Sequence, residues 1–180
     1  YCCSIGEVVA SAIPRDAWDR GMTSVSEMKN PTPQLGLTPE NAQVVSLTDE
    51  QKAALDSILQ SEVSKPTLLF GVTGSGKTEV YMRILEETLR AGKSSIVLAP
   101  EIALTPQLLG RFSARFPGQT AVLHSDLSKK ERHLQWQRIY AGEAKVVIGA
   151  RSAVFAPVRD LGLIVVDEEQ EASFKQEDSV

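Results

Sequence analysis

The chain has 180 residues, of which 42% are hydrophobic, with 19 basic and 23 acidic side chains for a net charge of −4. That much apolar surface buries a core and excludes a disordered chain, and the length fits one domain with an arm. The mild acidity excludes a histone-like nucleic-acid binder, though not a nucleic-acid motor whose contacts are local.

The only cysteines are the neighbours Cys2 and Cys3. Adjacent cysteines suit neither an ordinary disulfide nor a closed zinc site, so free thiols in a reducing, cytoplasmic setting are expected. No apolar run reaches the roughly 18 residues of a membrane span. The chain starts at Tyr1 and stops at Val180 without a recognisable end, which reads as a piece of a longer protein.

In residues 1–46, a strand is expected over 5–13. The prolines of Asn30-Pro-Thr-Pro33 and Leu37-Thr-Pro-Glu40 mark a linker. From Leu47 on, helices and strands alternate. Thr48 and Gln51 are spaced as a capping box that opens a helix over 48–61. A short buried strand is expected over 67–70, then a helix over 77–91 stopped by Gly92, then a strand over 95–99. Thr105 and Pro106 suit the cap and first position of a helix running to residue 116. A strand over 120–124 follows. Ser128 and Glu131 form a second capping box, opening a helix that reaches residue 141. Strands over 145–148 and 161–166 complete the series. Apolar strands alternating with helices imply a parallel sheet covered on both faces.

Gly71-Val-Thr-Gly-Ser-Gly-Lys-Thr78 fits the phosphate-binding P-loop pattern in full. It also lies between an expected strand and an expected helix. The glycines Gly71, Gly74 and Gly76 let the backbone curl so that successive N–H groups of the loop, with Thr73 and Ser75 in it, face phosphates, and the helix N-terminus adds a positive dipole end. Lys77 reaches the β- and γ-phosphates of ATP, and Thr78 holds Mg²⁺. In Val165-Val-Asp-Glu-Glu-Gln170 an acidic residue caps an apolar strand. Asp167 suits a second Mg²⁺ ligand, and Glu168 suits the residue that orients and deprotonates the attacking water. In a parallel sheet, the segments that leave the five expected strands line one edge, where ligands bind in open α/β folds.

Gln51 has two readings. One is the capping partner of Thr48, and the other is adenine recognition by its amide. Both hold only if the side chain is shared. Thr105, Arg151 and Ser152 place donors on the ligand edge, and such donors suit nucleic-acid phosphates. Lys129, Lys130, Arg132 and Arg138 make one helix basic, which reads as a solvated face. His124 and His133 lack ligand-spaced partners, and Trp136 reads as packing.

These residues form strings more specific than a P-loop: Gly71 to Tyr81, Ala99-Pro-Glu-Ile-Ala-Leu-Thr-Pro-Gln107, Leu123-His-Ser125, Val147-Ile-Gly-Ala-Arg-Ser-Ala-Val-Phe-Ala-Pro157, and Asp167-Glu-Glu with Ser173-Phe-Lys-Gln176. Together they resemble the PriA family of bacterial superfamily 2 replication-restart DNA helicases, also called primosomal protein N′. The resemblance covers about 47–176. It implies a first RecA-like, ATP-binding lobe over 47–180, preceded over 1–46 by an arm left from a DNA-binding region. It also implies 3′ to 5′ translocation on DNA driven by ATP, recognition of forked and single-stranded DNA, and partnership with primosome proteins and single-stranded-DNA-binding protein, away from any membrane. By the resemblance Gln51 belongs to the adenine motif. Gly74, Gly76, Lys77 and Thr78 belong to motif I, and Asp167 and Glu168 to motif II. Thr105, Arg151 and Ser152 face DNA. The family's zinc cysteines and its second lobe, which supplies an arginine finger, are expected beyond Val180. Two departures stand out. Gln170 replaces the usual histidine after Asp-Glu-Glu, and the 13–47 stretch is short. An RNA motor on the same lobe, and a truncated nucleotide-binding module without helicase activity, remain as other readings.

Overall fold

The computed structural model describes residues 46–62, 65–171 and 174. The strand expected over 5–13 and the proline-rich linker lie outside the described residues. In chain order the elements are α1 (Asp49–Leu59), α2 (Lys77–Arg90), β1 (Ser94–Leu98), α3 (Pro106–Arg115), β2 (Thr120–Leu123), α4 (Lys129–Ala141), β3 (Val146–Gly149) and β4 (Leu161–Val166). Short 3-10 turns at Glu101–Ala103 and Arg151–Phe155 follow β1 and β3.

The helix starts are written in local chemistry. Thr48 and Gln51 complete a capping box at α1, as Ser128 and Glu131 do at α4. Thr105 caps α3 by accepting the Leu108 N–H, with Pro106 at the first helical position. Each box satisfies two N–H groups that a helix start would otherwise leave unpaired.

The four strands pair in the order β2-β3-β1-β4, all parallel. Alternation along each strand divides the core. Val97, Val146 and Ile148 face α2 and α3, where they meet Leu85, Leu109 and Phe112. Ile96, Leu98, Ala121, Leu123 and Val147 face the opposite layer, against Trp136 and Ile139 of α4. Helices therefore cover both faces, as the alternation implies, and Trp136 is core packing. On β4, Leu163 and Val165 pack toward α2 and α3, while Ile164 and Val166 stay exposed.

One expected strand does not form. Residues 67–70 run as irregular chain, with Leu68 75% and Phe70 90% exposed. An apolar run becomes a strand only when its backbone groups find a ladder partner. Pro66, just before the run, has no N–H to give. Just after it, the Gly71 and Val72 carbonyls accept from the Lys77 ammonium. The run reads as a buried strand in sequence because periodicity carries no information about which sheet edge is free.

A charged clamp ties α2 to α3. Arg115 donates to Glu86 and, at 3.2 Å, to Glu79. Glu79 Oε1 also accepts from Arg83 at 3.1 Å. The Arg115 side chain is only 12% exposed. Arg115→Ala would leave two half-buried carboxylates short of a cation, a case between a surface pair and a fully buried one. The expected loss is about 1–3 kcal/mol, read as a lower urea midpoint at unchanged slope.

Candidate active site

Because every strand is parallel, all four C-terminal tips share one edge. They are laced together there: the Asp167 N–H donates to Leu98 O at 2.8 Å, Ala99 N–H to Gly149 O at 3.0 Å, and Ala150 N–H to Leu123 O at 3.1 Å. The segments that follow carry the residues singled out from sequence.

The glycine-rich loop, residues 71–76, leads directly into α2. Gly74 and Gly76 both adopt φ of +82°, a left-handed geometry that glycine enters without strain. At Gly76 a Cβ would also collide with the Gln51 amide. The Lys77 ammonium folds back over the loop, donating to Gly71 O at 2.6 Å and Val72 O at 3.2 Å. Thr73, Gly74 and Ser75 are exposed, so the crest of the loop is open to an incoming anion.

Gln51 is shared. Its Oε1 accepts the Thr48 N–H at 3.0 Å, while its Nε2 donates to Ser75 O at 2.9 Å. One amide thus closes the α1 cap and holds the glycine-rich loop.

At the tip of β4, the Asp167 carboxylate is gripped on both oxygens. Oδ1 accepts the Glu168 N–H at 3.0 Å, and Oδ2 accepts the Tyr81 hydroxyl at 3.0 Å. Glu168 has φ of +51°. A non-glycine residue in the left-handed region carries a cost of order 1–3 kcal/mol and is typical of functional turns. Gln170 donates its amide to Glu168 Oε2. Sequence reasoning missed both the Tyr81 and the Gln170 contacts. The signal for Tyr81 was its place three residues after Thr78 and four after Lys77, on the same face of α2.

Burial, reinforced by the Asp167 charge, pushes the Tyr81 hydroxyl well above its ordinary value. It therefore stays protonated and remains a donor. The Thr78 hydroxyl, one turn before Tyr81 on the same face of α2, and the Asp167 carboxylate are the two candidate ligands. These are hard oxygen donors of the kind Mg²⁺ takes, and a magnesium ion bound with a nucleotide needs only one or two such protein ligands, with phosphate and water oxygens completing the shell. Among the described residues no group of three or more His, Cys, Asp or Glu is arranged to hold a metal by itself.

Thr105 follows β1, and Arg151 and Ser152 follow β3, the neighbouring strand. All three are exposed. The Thr105 oxygen caps α3, which leaves its O–H free to donate.

A model of the DEAD/DEAH box helicase family matches residues 48–180. The chain belongs to the DEAD/DEAH box helicases. Helicases of this family use a nucleotide and Mg²⁺, in keeping with the donors at the loop and at the tip of β4. The chain is 53% identical over 135 residues to the replication restart protein PriA of Bacillus subtilis (strain 168), which covers 73% of the chain and 17% of that protein. It is 41% identical over 175 residues to the replication restart protein PriA of Treponema pallidum (strain Nichols), covering 97% and 25%. The corresponding protein of Rickettsia conorii (strain ATCC VR-613 / Malish 7) is 37% identical over all 180 residues, or 26% of its length. This helicase chain thus spans between about a sixth and a quarter of the curated relatives it matches. None of its described helices is long and apolar enough to cross a membrane.

Proposed function

We propose that this chain is the first, ATP-binding lobe of a replication-restart DNA helicase that moves 3′ to 5′ and acts at stalled forks in the cytoplasm. The observation that carries the reading is the contact between Tyr81 and Asp167, which joins the helix behind the glycine-rich loop to the acidic tip of β4. It makes two distant motifs one site.

In this mechanism the loop N–H groups and the start of α2 take the phosphates. Lys77 exchanges the Gly71 and Val72 carbonyls for the β- and γ-phosphate oxygens. Gln51 reaches an adenine by releasing Ser75 O or the Thr48 N–H. Thr78 and Asp167 would hold Mg²⁺, which would supply charge neutralisation at the phosphate oxygens. Glu168 orients the attacking water and accepts its proton, and Gln170 fixes the rotamer of Glu168. Thr105, Arg151 and Ser152 donate to DNA phosphates along the tips of β1 and β3. An arginine from a second lobe would complete the phosphoryl site. Primosome proteins, single-stranded-DNA-binding protein and a zinc module belong to the whole protein on this reading.

The test is ATP turnover by the chain with and without forked DNA, beside direct nucleotide binding. Binding without DNA-stimulated turnover supports one lobe of a larger motor. Fast turnover, at several per second and accelerated by forked DNA, would overturn the single-lobe reading, and equal stimulation by RNA would favour an RNA motor. Glu168→Gln should keep ADP affinity within about twofold and lower residual hydrolysis by about 10²-fold or more, the range for loss of a general base. Single-turnover assays at saturating ATP separate the two effects.

A further inference from the structure

We propose that Tyr81 is a positioning residue for magnesium: its hydroxyl holds the Asp167 carboxylate in the orientation that a Mg²⁺-nucleotide complex needs. This inference rests on the ATP-binding reading above and assigns the Tyr81–Asp167 contact a task within that site.

The argument begins with rigidity. The Tyr81 ring is 4% exposed and lies in the core between α2 and the sheet. It stacks on Phe112 with centroids 6.2 Å apart and planes 28° apart. Phe112 in turn meets Phe116 at 6.2 Å. Packing fixes the ring from α3, so the phenol oxygen has little freedom. It reaches the tip of β4, where it donates to Asp167 Oδ2 at 3.0 Å.

The second part is lone-pair arithmetic. A carboxylate offers about four acceptor sites. Glu168 N–H uses one on Oδ1, and Tyr81 uses one on Oδ2. Two remain, and their direction is set by the two bonds already made. Without the hydroxyl, Asp167 is held on one oxygen only and turns about its terminal torsion, which is intrinsically broad. Thr78 lies one helical turn before Tyr81, on the same face of α2. The phenol thus holds one candidate ligand, Asp167, from the helix that carries the other. Partners of metal ligands that act in this way commonly change metal affinity by roughly 10- to 100-fold when removed. A tyrosine kept only for packing would be served equally well by phenylalanine.

The experiment is a titration of Mg²⁺ into the full chain with fluorescent ADP, compared with ADP binding in EDTA, for the wild type and for Tyr81→Phe. Phenylalanine keeps the ring and its stacking. The expected result is a Mg²⁺ midpoint raised about tenfold or more in the variant, with metal-free ADP affinity unchanged. Coincident Mg²⁺ midpoints would overturn the proposal while leaving the ATP-binding reading intact. Failure of the wild type to bind ADP under either condition would overturn both. A second measurement covers a variant that melts early. In wild-type chain labelled with 3-fluorotyrosine, Tyr81 is assigned by elimination using Tyr1→Phe and Tyr140→Phe, the only other tyrosines. Its fluorine resonance should move when Mg²⁺ joins bound ADP. A resonance indifferent to Mg²⁺ would sink the proposal independently.

Discussion

Replacing Lys77 with alanine should weaken ADP and ATP binding by at least about a hundredfold and leave the fold standing. The lysine folds back over the glycine-rich loop, where it already bridges Gly71 O and Val72 O. On the proposed mechanism it makes two charge-assisted hydrogen bonds to phosphate oxygens, each worth about 1.5–3 kcal/mol. Their loss totals about 3 kcal/mol or more, and each 1.4 kcal/mol is a factor of ten. The carbonyls left behind lie in an exposed loop where water can replace the ammonium, so the melting temperature should move by only a few degrees. Calorimetric titration beside a thermal melt checks both halves. Binding that survives within threefold would remove Lys77 from the phosphate site.

The glycine-rich loop and its lysine were legible because the chemistry is local. A left-handed turn favours glycine at Gly74 and Gly76, and the lysine that folds back over the loop follows at once. The tip of β4 was legible for a similar reason, since acid directly after a purely apolar run leaves few structural uses. The sheet order was not legible. Nothing in the sequence places β1 between β3 and β4, so the place of Tyr81 on the α2 face shared with Lys77 and Thr78 was the one hint that it would reach Asp167. The apolar 67–70 run was misread for the same cause: a strand is defined by its neighbour, and pattern alone does not supply one. Gln51 stands between these cases. Its spacing to Thr48 announced the capping box, but the bond to Ser75 O depends on how α1 packs against the loop.

The second large effect concerns stability. Phe112→Ala should destabilise the chain by about 3–5 kcal/mol, the usual range for a fully buried aromatic. Phe112 is 0% exposed and supports Tyr81 on one side and Phe116 on the other. For a domain of this size each kcal/mol shifts the melting temperature by roughly 2–8 °C, so a drop of the order of 10 °C or more is expected, with a matching fall in the urea midpoint. A loss below about 1 kcal/mol would mean that the core closes over the cavity, contrary to the tight packing of the α2–α3 layer.

The wide sequence separation inside the site has a consequence for synthesis. Tyr81 and Asp167 are 86 residues apart. At roughly 5–20 residues per second on the ribosome, the helix bearing Tyr81 emerges about 4–17 s before its acidic partner. During that interval α2 carries its apolar face without β4, and the glycine-rich loop lacks Asp167, the second donor of the proposed magnesium site. A nucleotide that needs both halves binds only after the last strand is in place. It then stabilises the finished domain alone, by mass action. On the proposed site, binding of the Mg²⁺-nucleotide complex to the emerging chain would therefore double as a clock for completed folding.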